Sequence, residues 1–81
     1  MKVCIRLFAV AKELAGRDSI LLDLPSGSTI GELRARLVAE EPALAGVLPQ
    51  VLFAVGSDYA HEDAVISADS EVACIPPVSG G

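Results

Sequence analysis

The chain has 81 residues, of which 52% are hydrophobic, so it is long enough for one small folded domain and too apolar for a disordered chain. Its net charge of −5 excludes the basic surface expected of a protein that binds nucleic acid or an anionic membrane. The longest uncharged run, residues 42–57, is too short to span a bilayer, and Arg6 and Lys12 interrupt any signal-peptide core. We therefore expect a cytoplasmic protein.

The first third of the chain predicts a strand, a short helix and a second strand. Residues 2–8 alternate between apolar and polar side chains, which is typical of a strand with one buried face. Residues 10–15 predict a short helix that ends at Gly16, since glycine commonly follows a helix terminus. Alternation returns over residues 20–24, where a Pro-Ser-Gly turn closes the second strand.

The longest predicted helix begins with a capping box. Thr29 and Glu32 have the spacing at which each side chain satisfies a free amide at a helix start. The apolar residues that follow fall on one helical face: Ile30, Leu33, Leu37 and Val38. The helix ends before Pro42. Because Leu33 lies on the apolar face and Arg34 beside it does not, we expect Leu33→Asp to unfold the domain and Arg34→Asp to be tolerated.

The second half of the chain predicts three further strands. Residues 51–55 are apolar throughout, as in an interior strand, and a turn at residues 56–58 leads to a short edge strand near Tyr59. A turn at Asp69 leads to the last strand, residues 71–75. This order of elements predicts an α+β domain over residues 1–75. It contains a mixed sheet with one long helix packed across one face and with the first and last strands as central neighbours.

The body of the chain lacks the usual patterns of an active site. Its glycines form no phosphate-binding loop, and His61, Cys4 and Cys74 are too isolated to form a structural zinc site. If both strands belong to one sheet, alternation places the two cysteines on its opposite faces, where they cannot form a disulfide. His61 in its acidic loop is read as a solvated side chain, with a proton shuttle as the alternative. The Ser-Asp pairs at residues 57–58 and 69–70 are read as turn residues.

Residues 76–81 predict an extended C-terminal tail. Pro76 and Pro77 hold the chain extended where it leaves the sheet. Gly80 and Gly81 have no side chains, so the terminal carboxylate can pass through a narrow channel and be attacked at its carbonyl without steric hindrance.

The chain resembles the small subunits of molybdopterin synthase, which are sulfur carriers with the ubiquitin-like β-grasp fold. Three segments carry the resemblance: FAVAKELAG after the first strand, PSGSTIGELRARL at the main helix and the ending DSEVACIPPVSGG. The resemblance implies that Gly81 is adenylated and then converted to a thiocarboxylate. It further implies that Gly81 donates sulfur to the cyclic pyranopterin precursor, which forms the molybdopterin dithiolene.

The same resemblance implies the partners and the residues that meet them. The chain would act as a non-catalytic sulfur donor in a sulfurtransferase complex of two small and two large subunits. A ubiquitin-activating-like adenylyltransferase would adenylate the tail with ATP, and a sulfur-donor protein would then supply the sulfur. This chain would bind no cofactor itself. Ser79 and Gly80 would give the tail access to partner active sites. The residues expected to contact a partner are Ile75, Pro76, Pro77 and Val78.

Three other functions remain open at this point. A carrier for thiamine or tRNA thiolation would also end in Gly-Gly, although the Pro-Pro-Val of this tail favours molybdopterin. A ubiquitin-like modifier would instead form an isopeptide bond between Gly81 and lysines of target proteins. A structural interaction module with an incidental tail would keep its function when Gly80 and Gly81 are removed.

Overall fold

The computed structural model describes residues 1–77. The strands are β1 (Lys2–Leu7), β2 (Ser19–Asp23), β3 (Leu52–Val55), β4 (Asp58–Ala60) and β5 (Glu71–Ile75). The helices are α1 (Ala9–Ala15) and α2 (Ile30–Glu40), followed by two short 3-10 helices (Pro42–Leu44 and Leu48–Gln50) that the sequence did not predict. All seven predicted strands and helices are present. No helix within the described range has the length and apolarity needed to cross a membrane.

The five strands form one mixed sheet in the order β2-β1-β5-β3-β4. β1 and β5 run parallel, with Ile5 opposite Val72, whereas the other neighbours are antiparallel. The prediction that the first and last strands are central neighbours is confirmed, and β4 is the predicted edge strand. The C-terminal end of the sheet's middle strand, β5, is therefore the point from which the tail departs.

One face of the sheet packs against α2 to form the core. Alternate strand residues such as Val3, Ile5 and Val72 are fully buried, as are Ile30, Leu33 and Leu37 of α2. Each such side chain contributes about 1.5 to 3 kcal/mol when it leaves water. At the start of α2 the capping box is present: Oε1 of Glu32 accepts from the Thr29 amide at 2.9 Å, and Thr29 Oγ1 accepts from the Glu32 amide at 3.3 Å.

The cysteines lie where alternation placed them. Cys74 is fully buried on the core face, whereas Cys4 is half-buried on the opposite face, and both thiols are free. In α1 the side chain that enters the core is Ala11, while Val10 and Leu14 are largely exposed. The short helix thus contributes little apolar volume to the core.

Arg34 departs from the sequence-based expectation. Its side chain is only 20% exposed. Nη1 donates to the main-chain oxygens of Leu48 and Val51, the latter at 2.9 Å, and the guanidinium lies 4.8 Å from the centre of the Phe53 ring. The expectation that Arg34→Asp is tolerated conflicts with these contacts, because the segment that enters β3 covers the Arg34 side chain.

Candidate functional site

The candidate site lies where β5 ends and the predicted tail begins. Ile75, the last residue of β5, is half-buried, Pro76 is buried and Pro77 is exposed. The remaining predicted tail residues Val78, Ser79, Gly80 and Gly81 lie outside the described residues. Because Pro76 is buried within its own chain, Ile75 and Pro77 are the described residues of this segment with side-chain surface free for a partner.

Around Ile75 the sheet presents a face that no helix of residues 1–77 covers. In the antiparallel pairing of β3 with β5, Leu52 lies opposite Ile75 and Ala54 lies opposite Ala73, and Ala54 in turn lies opposite Tyr59 of β4. Residues that pair across a sheet share one face, so these five side chains line the same surface. The two alanines make a shallow floor between larger neighbours.

This surface is strongly apolar for an exposed one. Leu52 is 55% exposed and Tyr59 is 66% exposed, and Phe8, 45% exposed, lies at the end of β1 and borders the same depression. We call this surface the exit patch and define it by six residues: Phe8, Leu52, Ala54, Tyr59, Ala73 and Ile75. Single exposed apolar residues are common, whereas a contiguous group that includes two aromatic rings is typical of a protein-binding surface.

A salt bridge borders the exit patch. Arg6 Nη1 lies 3.8 Å from Glu71 Oε1, with both side chains at least half exposed. Arg6 lies opposite Ala73 of the patch in the β1–β5 pairing. The Arg6–Glu71 salt bridge therefore separates the patch from Cys4 and Leu21, which lie on the β2 side of the same face. The polar border gives the surface the arrangement of an interface, with an apolar centre and a charged rim.

Of the six residues of the exit patch, only Ile75 was predicted from the sequence to contact a partner. Phe8 continues the series of outward-facing positions in β1, and Leu52 is the outward-facing residue at the start of a strand that is apolar on both faces. The pattern of each strand therefore indicates an apolar side chain on the open face of the sheet. What the sequence alone did not supply was the strand order, which brings these residues together beside Ile75.

The described residues hold little that could perform chemistry. Over residues 1–77, no three His, Cys, Asp or Glu side chains lie close enough to hold a metal ion. His61 is exposed in its loop. Burial raises the pKa of the Cys74 thiol to about 11, so it is protonated and unreactive at neutral pH.

Comparisons with known proteins agree with the resemblance seen in the sequence. The family model described as the ThiS family matches residues 5–81. A molybdopterin synthase sulfur carrier subunit from Arabidopsis thaliana is 37% identical over 81 residues, covering 100% of this chain and 84% of that protein. The corresponding subunit from Dictyostelium discoideum is 42% identical over 80 residues, covering 95% and 93%.

Solved structures confirm the predicted ubiquitin-like β-grasp fold. Small archaeal modifier protein 1 from Haloferax volcanii superposes with a TM-score of 0.85 at 29% identity, covering 100% of both chains. A ubiquitin from Caldiarchaeum subterraneum superposes with a TM-score of 0.68 at 14% identity, covering 100% of this chain and 98% of that one. A complex of subunits 1 and 2 of molybdopterin-converting factor from Helicobacter pylori gives a TM-score of 0.71 at 22% identity, covering 100% of both chains.

Proposed function

The chain belongs to the ThiS family, and from that premise we propose that it is the sulfur carrier subunit of a molybdopterin synthase. The observation that carries the proposal is the exit patch, an exposed apolar surface that ends at Ile75, where the tail begins. A carrier needs a docking surface joined to a reactive arm and needs no catalytic side chain of its own. Two relatives that carry the sulfur-carrier name match this chain over 84% and 93% of their own length.

The chemistry that we propose takes place at Gly81. A carboxylate is a poor electrophile, so a partner enzyme joins it to the α-phosphate of ATP and releases pyrophosphate. Sulfide delivered by a sulfur-donor protein then displaces AMP from the glycyl adenylate and leaves a thiocarboxylate. Its sulfur attacks a carbon of the cyclic pyranopterin precursor and displaces an oxygen substituent from that carbon, which leaves as water or as a phosphate oxygen. Water then cleaves the acyl–sulfur bond. Sulfur stays on the pterin and the Gly81 carboxylate is restored.

The partner that we propose for the exit patch is the large catalytic subunit of the synthase, in an assembly of two small and two large subunits. The Helicobacter pylori structure is described as a complex of subunits 1 and 2 of molybdopterin-converting factor, which supports such a pairing. Docking at the patch would bury Leu52 and Tyr59, while Ser79 and Gly80 let the tail enter the partner's active site. The adenylyltransferase and the sulfur donor meet the same tail, and we place all of these steps in the cytoplasm.

Intact mass tests the sulfur chemistry directly. The protein is purified from cells that contain its adenylyltransferase and sulfur source, alongside a variant that lacks Gly81. We expect a mass gain equal to one exchange of oxygen for sulfur in the full chain and no gain in the variant. An unchanged mass, under conditions in which a known carrier becomes thiolated, would refute sulfur carriage.

Docking is tested by charge substitutions on one face of the sheet. Leu52→Asp places a charge in the exit patch, and Leu21→Asp is the matched control, because Leu21 is 63% exposed on the same face beyond the Arg6–Glu71 pair. We expect Leu52→Asp to weaken binding to the large subunit by about tenfold or more and Leu21→Asp to leave it unchanged. Equal loss in both variants, or loss in neither, would contradict docking at the patch.

A second candidate function is that of a ubiquitin-like protein modifier. The likeness to small archaeal modifier protein 1 favours it, since that protein covers the whole chain at a TM-score of 0.85. The same Gly81 adenylate would then be attacked by a lysine amine of a target protein. High-mass conjugates that disappear when Gly81 is removed would support this function. If the chain becomes thiolated but forms no conjugates, sulfur transfer is the function that remains.

A further inference from the structure

The connection from β1 to α1 contains a strained residue. Phe8, the only residue between strand and helix, has extended backbone angles, whereas Ala9 after it has a φ of 51°. A residue with a Cβ is disfavoured in the left-handed region, because its Cβ comes too close to the following carbonyl oxygen. Within residues 1–77 the other non-glycine residue with positive φ is Asp69, and aspartate tolerates this region. Ala9 is thus held in a conformation that its own side chain disfavours.

The strain coincides with a change of face. Leu7 points into the core with 3% of its surface exposed, and alternation places Phe8 on the opposite, open face. Only three residues later, Ala11 is fully buried again. The left-handed turn at Ala9 lets the chain return to the core side directly after Phe8, and the Ala11 amide closes the turn by donating to the Phe8 carbonyl at 3.1 Å.

We propose that Ala9 is a positioning residue, whose left-handed backbone holds the Phe8 side chain on the exit patch for contact with the large subunit. This inference rests on the proposed function. Strain is retained in native structures where the surroundings impose it, and it concentrates at functional surfaces. Here it lies next to an aromatic side chain that is 45% exposed and that borders the Ala54–Ala73 floor. Aromatic anchors of this kind dominate interface energies.

Substitutions at position 9 rank by their tolerance of positive φ. Glycine adopts φ near 51° without penalty, so Ala9→Gly keeps the turn and keeps Phe8 in place. Valine is β-branched and strongly disfavours this region, so Ala9→Val forces the turn to change and moves Phe8. Ala35→Val is the matched control, because Ala35 is an exposed residue of α2, where the backbone is ordinary helix.

Affinity for the large subunit is measured for these variants with and without Phe8→Ala. We expect Ala9→Gly and Ala35→Val to bind within about twofold of the unmodified chain and Ala9→Val to bind about tenfold more weakly. In the Phe8→Ala background, Ala9→Val should cause no further loss. Wild-type affinity of Ala9→Val, or an undiminished loss in the Phe8→Ala background, would overturn the proposal. If Ala9→Val does not fold, the pair Ala9→Asn and Ala9→Thr makes the same comparison, since Asn tolerates positive φ and Thr does not.

A second measurement, fluorescence quenching, reports on the position of residue 8 without the large subunit. The chain contains no tryptophan, so Phe8→Trp introduces a unique fluorophore at the patch. In the Phe8→Trp chain, adding Ala9→Gly should leave acrylamide quenching of the tryptophan fluorescence unchanged. Adding Ala9→Val should change that quenching. Unchanged quenching would overturn the role of Ala9. A changed signal in a chain that does not bind the large subunit would instead overturn the proposed function and leave the positioning of Phe8 by Ala9 intact.

Discussion

Arg34 and Glu62 form a two-point ion pair across the fold. Nε of Arg34 donates to Oε1 of Glu62 at 3.0 Å, and Nη2 donates to Oε2 at 2.7 Å. The carbonyl of Glu62 also accepts from the Gly31 amide at 2.8 Å, one of the free amides at the start of α2. Arg34 therefore joins α2, the segment entering β3 and the loop after β4 at one point.

Removing the Arg34 guanidinium should destabilise the domain markedly. Arg34→Met removes the guanidinium donor from the Val51 carbonyl and the Glu62 carboxylate, at a cost of about 2 kcal/mol or more. The Leu48 carbonyl loses one donor but still accepts from the Val51 amide at 3.2 Å. Arg36→Met is the matched control, since Arg36 forms only an exposed pair with Glu40 and its loss should cost less than about 0.5 kcal/mol. Urea unfolding of both variants measures the difference, and equal midpoints would contradict a structural role for Arg34.

The Arg34–Glu62 pair should also shape the response to acid. Hydrogen bonding from Arg34 lowers the pKa of Glu62 below its ordinary value of 4.5. A carboxyl group with a lowered folded-state pKa stabilises the fold above the unfolded value, and this contribution is lost as the pH falls through the folded value. Glu62→Gln should therefore be less stable than the unmodified chain at pH 7, and the difference should shrink progressively below pH 4.5.

Unfolding curves recorded between pH 7 and pH 3 check this expectation. Asp63→Asn is the control, because Asp63 is an exposed neighbour that forms no salt bridge with the rest of residues 1–77. If the difference in unfolding free energy between Glu62→Gln and the unmodified chain stays constant over this pH range, the stabilising role of the ionised Glu62 carboxylate is refuted.

The two cysteines should react at very different rates. Cys74 is fully buried and its thiol pKa is raised to about 11 by burial, whereas Cys4 is half-buried on the open face. At pH 8 a thiol reagent should label one site in the folded chain and the second only after unfolding. The Cys4→Ser variant isolates Cys74 and should resist labelling until denaturant is added. Prompt labelling of that variant would contradict the burial of Cys74.

Cys74 should also weaken the fold at high pH. Its thiol ionises near 9.0 in the unfolded chain but near 11 in the folded one, so stability is complete below the lower value and falls as the pH rises between the two. Cys74→Ala should remove this decline, and thermal unfolding at pH 8 and pH 10 measures it. A decline that persists in Cys74→Ala would assign it to another group.

Loss of the capping box should cost about 1 kcal/mol of unfolding free energy. Thr29→Ala removes the hydroxyl that accepts from the Glu32 amide at 3.3 Å and leaves that amide without its partner. Ser26→Ala is the control, because Ser26 is an exposed residue of the same loop that lies outside the helix cap. Equal stability of the two variants would contradict a contribution from the cap.

Local patterns explain why the fold was largely predictable. The alternation in β1 and β2 and the Thr29–Glu32 spacing are properties of neighbouring residues, so they were visible before any tertiary structure. Arg34 was misread because its carbonyl acceptors, Leu48 and Val51, are 14 and 17 residues away along the chain.

The exit patch was missed for a related reason. Its side chains come from four strands or strand ends. The pairings of β1 and β3 with β5, and of β3 with β4, bring them onto one surface. Strand order depends on contacts that are distant in sequence, so hydrophobic periodicity does not specify it. The strain at Ala9 likewise has no local signature, because alanine is an ordinary helix-forming residue.

The position of β5 makes completion of the sheet depend on the strand that comes last among the described residues. β5 is the middle strand of the sheet and follows the other four along the chain, and its partner β1 is the first of those four, with Ile5 opposite Val72. Until residues 71–75 leave the ribosome, β1 and β3 have no strand between them, and contacts so distant in sequence form late. A prematurely terminated chain would lack both its central strand and the residues that follow it. In the function we propose, an unfinished carrier would therefore have no terminus for an activating enzyme to use.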